Sequence, residues 1–455
     1  MLGKQFPRNI FLISCVSLLA ACGGGGGGGP APVPQVTVTN CTGSGNVTIS
    51  GRIRFEKPGF RTSSGGLNLD APQLRPARRV LVEIVCAGNN SILRAIDTDD
   101  QGTYSLRVSS GGAMFLRVRA RMLLGGSPSW NARVVDNTSN GALWAARGNE
   151  FTPAGNQTRN LTIPTGWGGS SYTSNRAAAP FAILDAIYES MLRVLGVDGS
   201  AQFPTLVVNW SPDNVPSDTF NPSNGDIVTT FYSAGNIFVL GEENVDTDEF
   251  DSHVIAHEWG HYFEDKFSRA DSLGGSHGDG DLLDPRVAFS EGWGNAFSGI
   301  ALNDSVYKDS FDTGQSAHFF FDVDDNVKII NRGFWSEDSN QAIIYDLFDS
   351  PAEDDDGVGL GFGPIYQTLV SAQKNTTALT TIFPFITDLK NDFPTERMAI
   401  DTLVMGQGID VITDDFGDGE THDAGVIPST DVIPIYKDLD VDGVVVNVCS
   451  TNEFG

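Results

Sequence analysis

His257, Glu258 and His261 stand in the stretch HVIAHEWGHYFED, running from His253 to Asp265. Two imidazoles four residues apart project from one face of a helix. Both nitrogens can then reach a single Zn²⁺ at about 2.0–2.1 Å. Glu258 directly follows the first histidine and can reach a water held beside the pair. The pattern is HExxH, two metal ligands plus a general base. A catalytic zinc also needs a third protein ligand and an open position. Glu291, in AFSEGWGNAFSGI at the start of another helical segment, can supply that ligand. Asn295 lies four residues further on, shares a face with Glu291, and can hydrogen-bond the far nitrogen of a ligand histidine. Gly292 and Gly294 would let backbone come close to the site. His253, one turn before His257, reads as a helix-start residue, because a fourth protein ligand would close the open position.

These side chains need positioning elements. Val254, Ile255, Trp259, Tyr262 and Phe263 give the histidine helix a buried face. Asp246, Asp248, Glu249 and Asp251 lie before it or in its first turn, where carboxylates suit the positive helix end. The loop SRADSLGGSHGDGDLLDPRV, rich in Gly and Asp, can bring Glu291 back toward the histidines. TLVVNWS and GNIFVLGE read as strands. Ala178, Phe181, Ile183, Leu184, Ile187, Leu192 and Leu195 recur at helical spacing, which predicts an amphipathic helix over 175–196. Later helices are predicted near 290–303, 340–349, 363–374, 377–391 and 395–406, and the tail DLDVDGVVVNVCS returns to strand.

The segment NIFVLGEENVDTDEFDSHVIAHEWGHYFED, followed by SLGG and SEGWGNAF, resembles the fungalysin-type metallopeptidases within the thermolysin-like gluzincin group. The resemblance covers about seventy residues, 235–303. It implies that His257, His261 and Glu291 hold zinc and that Glu258 is the catalytic base. It also implies that the strand Asn236–Gly241 is an edge that pairs with an extended peptide substrate. The family usually has Asp where this chain has Asn295; an amide holds a histidine less strongly, which lowers the expected metal affinity or rate. Gluzincins also use a downstream His or Tyr to stabilise the oxyanion. Tyr345, in FWSEDSNQAIIYDLFDS, is the leading candidate for that catalytic role, ahead of His318 and Tyr366. His277 and His422 read as solvated loop histidines.

Residues 43–125 read as all-β, with alternating apolar and polar residues and an acidic turn, TDDQGTYSL, leading into a strand. They resemble the carboxypeptidase regulatory-like, transthyretin-like β-sandwich, which implies a spacer or binding platform without catalytic residues. The fold class expected is multidomain, an all-β sandwich followed by an α+β zincin, gluzincin-like, catalytic domain. The boundaries expected are 1–21 signal peptide, 22–42 Gly/Pro tether, 43–125 sandwich, 126–172 connecting β segment, 173–430 metallopeptidase-like domain and 431–455 C-terminal β tail.

Lys4 and Arg8 precede an apolar run too short to span a bilayer, as in a signal peptide. Leu19-Ala20-Ala21-Cys22 resembles the lipobox of bacterial lipoproteins, which implies cleavage before Cys22 and a membrane anchor through its lipidated thiol. Gly23 after that cysteine points, by the same resemblance, to the outer membrane or cell surface. Seven glycines and PAPVPQV follow as a flexible tether. The net charge is −28, and losing Lys4 and Arg8 from it leaves about −30. Such a chain is repelled by phosphates, so nucleic acid is not an expected partner. Protein or peptide substrates are. Cys41, Cys86 and Cys449 remain in a disulfide-permitting compartment, enough for one bridge with the pair left open. Beside Zn²⁺, Ca²⁺ is a further expected cation. The runs Asp322–Asn326, Glu353–Gly357, Asp414–Glu420 and Asp438–Gly443 offer it oxygens. A lipid-anchored zinc endopeptidase is the leading expectation. The alternative is a weak or inactive cell-surface binding or adhesin lipoprotein on the same scaffold.

Overall fold

The computed structural model describes residues 41–420, apart from 42, 44, 62–64, 279, 326–328 and 351–356. The signal segment, Cys22, the glycine tether, His422, Cys449, most of Glu353–Gly357, Asp438–Gly443 and the predicted tail strand lie outside these residues. The described chain mixes large β-sheets with seven helices.

In the N-terminal half, the strand Asn46–Lys57 buries Val47, Ile49, Ile53 and Phe55. Such period-two patterning gives a strand one core face. It pairs with Thr103–Ser109, Gln73–Pro76, Gln157–Thr158 and Leu161–Ile163. A second sheet of nine strands runs, along its main path, Phe231–Ser233, Asn236–Val239, Leu206–Trp210, Trp130–Asp136, Met114–Leu124, Val80–Cys86, Ile92–Asp97. Met114–Leu124 and Trp130–Asp136 are antiparallel neighbours, so this sheet continues through the boundary expected at residue 125. Cys41 and Cys86 form a disulfide, which resolves the open pairing between them.

The strand Asn236–Val239 is not an edge. Leu206–Trp210 flanks it on one side in parallel and Phe231–Ser233 on the other in antiparallel. The return runs through a two-residue turn, Ala234-Gly235, with φ of +46° and +85°. That twist matches antiparallel strands and closes a tight hairpin. The outer strand is therefore Phe231–Ser233.

The helices are α1 Ala179–Leu195, α2 Ser252–Phe267, α3 Pro285–Leu302, α4 Glu337–Phe348, α5 Phe362–Thr368, α6 Ile382–Asp392 and α7 Arg397–Gly406. Each overlaps an expected helical stretch. α2 and α3 cross where Gly260 meets Gly294; a Cβ on Gly260 would lie 3.2 Å from the Gly294 Cα. Around that crossing Trp259 stacks on Phe297 with centroids 5.3 Å apart, and Trp293 packs on Phe297 at 5.2 Å. Trp259, Trp293, Phe263 and Phe297 are essentially without exposed surface. Aromatic rings of this size bury the most area per residue and lock the two helices together. A separate four-stranded sheet, Gly241–Glu242, Asp246–Thr247, Val306–Phe311 and Ala317–Asp322, stands beside the start of α2.

Candidate metal centre

α2 carries His257, Glu258 and His261 on consecutive turns, and α3 carries Glu291. α3 begins at Pro285, with Asp284 capping its first turn, so Glu291 sits inside the helix rather than at its start. The three expected ligands converge. His261 Nε2 lies 3.1 Å from His257 Nε2 and 3.1 Å from Glu291 Oε2, and His257 Nε2 lies 3.3 Å from Glu291 Oε2. A tetrahedral ion bound at about 2.0–2.1 Å sets its ligand atoms about 3.3–3.4 Å apart. Two lone-pair nitrogens and a carboxylate oxygen facing one point fit such a cation, and the donor types are those zinc takes.

The tautomers agree. Asn295 Oδ1 lies 2.8 Å from His257 Nδ1, and Asn295 Nδ2 donates to Gln341 Oε1 at 2.8 Å. The carbonyl end of the amide thus faces the ring, and His257 donates from Nδ1 and keeps Nε2 free. His261 Nδ1 faces Ser290 Oγ at 3.3 Å, and that hydroxyl donates to the buried Glu264 carboxylate at 2.6 Å. Gly294 brings the backbone of α3 against His257; a Cβ there would lie 2.7 Å from the ring's Cε1.

Burial opposes charge at each group, and neighbours decide the outcome. At Glu291 burial is outweighed by His261 and His257, which hold the carboxyl well below its usual range. At His261 burial is outweighed by Glu291 and Glu264, which raise it. At Glu258 burial wins: the carboxyl is pushed up, moderated by His257, His261 and the Tyr232 backbone N–H. A carboxylate raised in this way is a better proton acceptor.

A cavity of about 500 Å³ opens on His257 and Glu258. Among the described residues, eight carboxylates and two imidazoles line it, with no Lys or Arg. The second imidazole is His277, expected as a solvated loop residue. Its Nδ1 lies 2.7 Å from Glu337 Oε2 and its Nε2 3.3 Å from Glu291 Oε2. Burial works against its charge, but Glu337 and Glu291 raise it to about 9. Its place in the loop before α3 was visible; its reach was not, because that depends on Glu337 arriving from α4.

No protein-family model matches this chain, and no curated protein does. Among solved structures, a putative carbohydrate binding protein from Pseudomonas aeruginosa is 13% identical, covering 29% of this chain and 98% of its own, at a TM-score of 0.17. A 9R-lipoxygenase from Cyanothece is 8% identical, covering 35% of this chain and 25% of its own, at 0.15. Similarities of that size decide neither fold nor function.

Tyr345 is not brought to the site. Its ring packs against Gly299 on α3 and against Phe348, 5.6 Å between centroids. Gly299 is eight residues beyond Glu291, about 12 Å along the helix. The same face of α4 presents Glu337 and Gln341 to the cavity, and one further turn carries Tyr345 past the ligands. Tyr366 is engaged elsewhere, donating to Asp198 Oδ2 at 2.9 Å. His318 packs on Phe320, outside the cavity lining. His253 is buried, 3.2 Å from Ser298 Oγ, and stands apart from the ligand triangle.

The acids before α2 do not cap it. Asp251 makes no side-chain cap; its Oδ2 accepts from Ser310 N and Oγ at 2.8 and 2.7 Å. Glu249 pairs with Arg176 at 2.7 Å. Asp246 and Asp248 join Asp309, with oxygens within 4.8 Å of one another. Burial pushes Asp246 up to about 6, moderated by a hydrogen bond with Asp248 and reinforced by Glu249, and pushes Asp309 up to about 7, reinforced by Asp246.

Proposed function

We propose that this protein is a zinc metallo-endopeptidase of the fungalysin-type, thermolysin-like gluzincin kind. On this reading a zincin-like catalytic region follows a β-sandwich-like one, and Cys22 anchors the chain by lipid on the outer face of a bacterial envelope. The single observation that carries the reading is the convergence of His257 Nε2, His261 Nε2 and Glu291 Oε2 at 3.1–3.3 Å, with Glu258 at the same cavity.

His257, His261 and Glu291 hold the metal, which when bound polarises a scissile carbonyl and lowers the pKa of a water to about 7. Asn295 and Ser290 orient the two rings. Glu258, its affinity for protons raised by burial, takes the proton of the attacking water and delivers it to the leaving amine. His277, braced by Glu337, is the imidazole that steadies negative charge on the reacting oxygen, the part first given to Tyr345. The backbone of the outer strand Phe231–Ser233, whose Tyr232 N–H reaches Glu258, lines up an extended peptide.

The test is proteolysis of casein or a peptide library, with and without chelator, alongside metal content. Glu258→Gln is expected to bind zinc as the parent does and to lose about 10²–10⁴-fold in turnover. Full turnover by that variant would remove Glu258 from the chemistry and the peptidase reading with it.

A further inference from the structure

Fifteen Lys and Arg stand against eight Asp and Glu between residues 41 and 165, in a chain whose net charge is −28. Five of those arginines share one face of the nine-stranded sheet. In Met114–Leu124, Arg117, Arg119 and Arg121 alternate with the buried Val118, Ala120 and Met122, so they point away from the core. Alternate residues of a strand recur about 6.8 Å apart. Arg147 lies directly opposite Arg117, and Arg133 directly opposite Arg121, in the antiparallel register. Paired positions share a face, and like charges at them destabilise a sheet.

The acids on this face do not balance the row. Glu83 Oε2 serves both Arg117 and Arg119, at 2.5 and 3.0 Å, and Glu150 meets Arg147 at 2.7 Å. Asp97 is pushed up by burial, with Arg121 and Arg79 only moderating the shift. Arg121 and Arg133 make no ion pair among the described residues, and Arg121 Nε is buried without an acceptor. A planar guanidinium fork takes a carboxylate in two parallel hydrogen bonds. The row therefore fits an extended chain with carboxylates at every second position, because their spacing is the same. Asp438, Asp440 and Asp442, in DLDVD, have that pattern, and RVRAR, residues 117–121, is its complement in charge. These aspartates lie outside the described residues.

We propose that the tail segment Asp438–Asp442 docks in extended form over Arg117, Arg119 and Arg121, flanked by Arg133, and so staples the C-terminal tail onto the N-terminal β region. The reach is sufficient. Eighteen residues separate Asp438 from Glu420, the last described residue, and can span up to about 60 Å. The arginine row is about 14 Å long. A row bordered by Glu83 and Glu150 suits a single chain better than the plane of an anionic lipid surface. It offers no exposed ring for stacking nucleic-acid bases, because Phe115 is buried with Arg147 over its face. Each exposed ion pair favours the docked state by about 1.5–5-fold, so three favour it by about 3–100-fold. Tethering within one chain supplies the segment at high local concentration. The docking is independent of the histidine centre and of the peptidase reading.

The experiment uses the full chain carrying Arg121→Lys, which keeps the charge and supplies an amine. A water-soluble carbodiimide joins that amine to a carboxylate in ion-pair contact, and mass spectrometry of the digest locates the link. The expected link runs from position 121 to Asp438, Asp440 or Asp442 within one chain. It should disappear in 1 M NaCl, where the screening length is about 3 Å. Amide exchange over 438–442 should be about 3–100-fold slower in the parent than in the triple variant Arg119→Gln, Arg121→Gln, Arg133→Gln. The triple variant Asp438→Asn, Asp440→Asn, Asp442→Asn leaves the sheet untouched and should exchange as fast, which separates lost docking from a misfolded sheet. No link to the tail, a link only between two chains, or equal exchange in the parent and both variants overturns the proposal. Arginine-dependent binding to vesicles of anionic lipid, with the tail exchanging freely, overturns it in favour of a lipid surface. Zinc content should stay at the parental level throughout, so this docking and the peptidase reading can fail separately.

Discussion

Gly294→Ala is a sharp probe of how the centre is held. A Cβ at 294 would lie 2.7, 2.8 and 3.0 Å from Cε1, Nδ1 and Nε2 of His257. Ordinary carbon contacts begin near 3.5 Å, so the ring must retreat by roughly 0.8 Å or tilt. It cannot do so freely. Nδ1 is tied to Asn295 Oδ1 at 2.8 Å, and Asn295 is the next residue of the same helix. Nε2 is one corner of the 3.1–3.3 Å triangle. Ligand distances tolerate about 0.2 Å, so the displacement is several times what the metal accepts. Loss of ring orientation costs about 10–100-fold in metal affinity, or about 1.4–2.7 kcal/mol. Competition against a chromophoric chelator measures that loss. Urea unfolding of the metal-free variant separates it from overpacking of the helix crossing, about 1–3 kcal/mol. Zinc affinity within twofold of the parent would show that the backbone of α3 does not confine His257, and the reasoning would fail.

Replacing His277 with alanine should lower kcat by about 10²–10³-fold with zinc content and KM little changed, the signature of lost charge stabilisation; a KM effect alone would make it a substrate-binding residue. Arg176→Met leaves the fully buried Glu249 without its 2.7 Å partner, and equilibrium unfolding should show a loss of about 3–5 kcal/mol. Asp388 is pushed up to about 6 by burial, then by Asp415 and Asp392. Its folded pKa lies above its unfolded one, so the favourable protonated state is complete below about pH 4 and is lost as pH rises through 6. Asp388→Asn should therefore raise the thermal midpoint at pH 8 and leave it unchanged at pH 4; a gain at both would point to another cause.

The convergence of His257, His261 and Glu291 was legible because each residue has a chemistry that narrows its use, and helical spacing decides which side chains share a face. The pairs His257/His261 and Glu291/Asn295 follow from intervals of four, whereas the meeting of the two helices was expected only from the zinc's need of a third ligand and from the family resemblance. The helices were legible for the same reason, with α1 and α4 falling near their expected spans. Tyr345 failed because period says which face a residue occupies and not how far along the helix the site lies. The edge strand failed because Phe231–Ser233 is three residues long and its hairpin rests on a non-glycine residue at positive φ, Ala234, which carries no strong turn signal. His277 was missed because its partner Glu337 is sixty residues away. The acids before α2 resembled caps locally, and only pairing with the strand holding Asp309 brings them together.

The two parts of the cavity are built differently, and that difference bears on what each can do. The three converging side chains come from two helices locked at a glycine contact and by stacked indole and phenyl rings, which is the construction that keeps side chains within about half an ångström. The opposite wall comes from two-residue and six-residue strands and the loop carrying His277. Those elements contribute carboxylates and exposed aromatics such as Phe319 but no corner of the ligand triangle. Changes in that wall can therefore reshape the cavity without moving the His257, His261 and Glu291 triangle. Among the described residues the enclosure carries eight carboxylates and no Lys or Arg, a field that disfavours acidic chains.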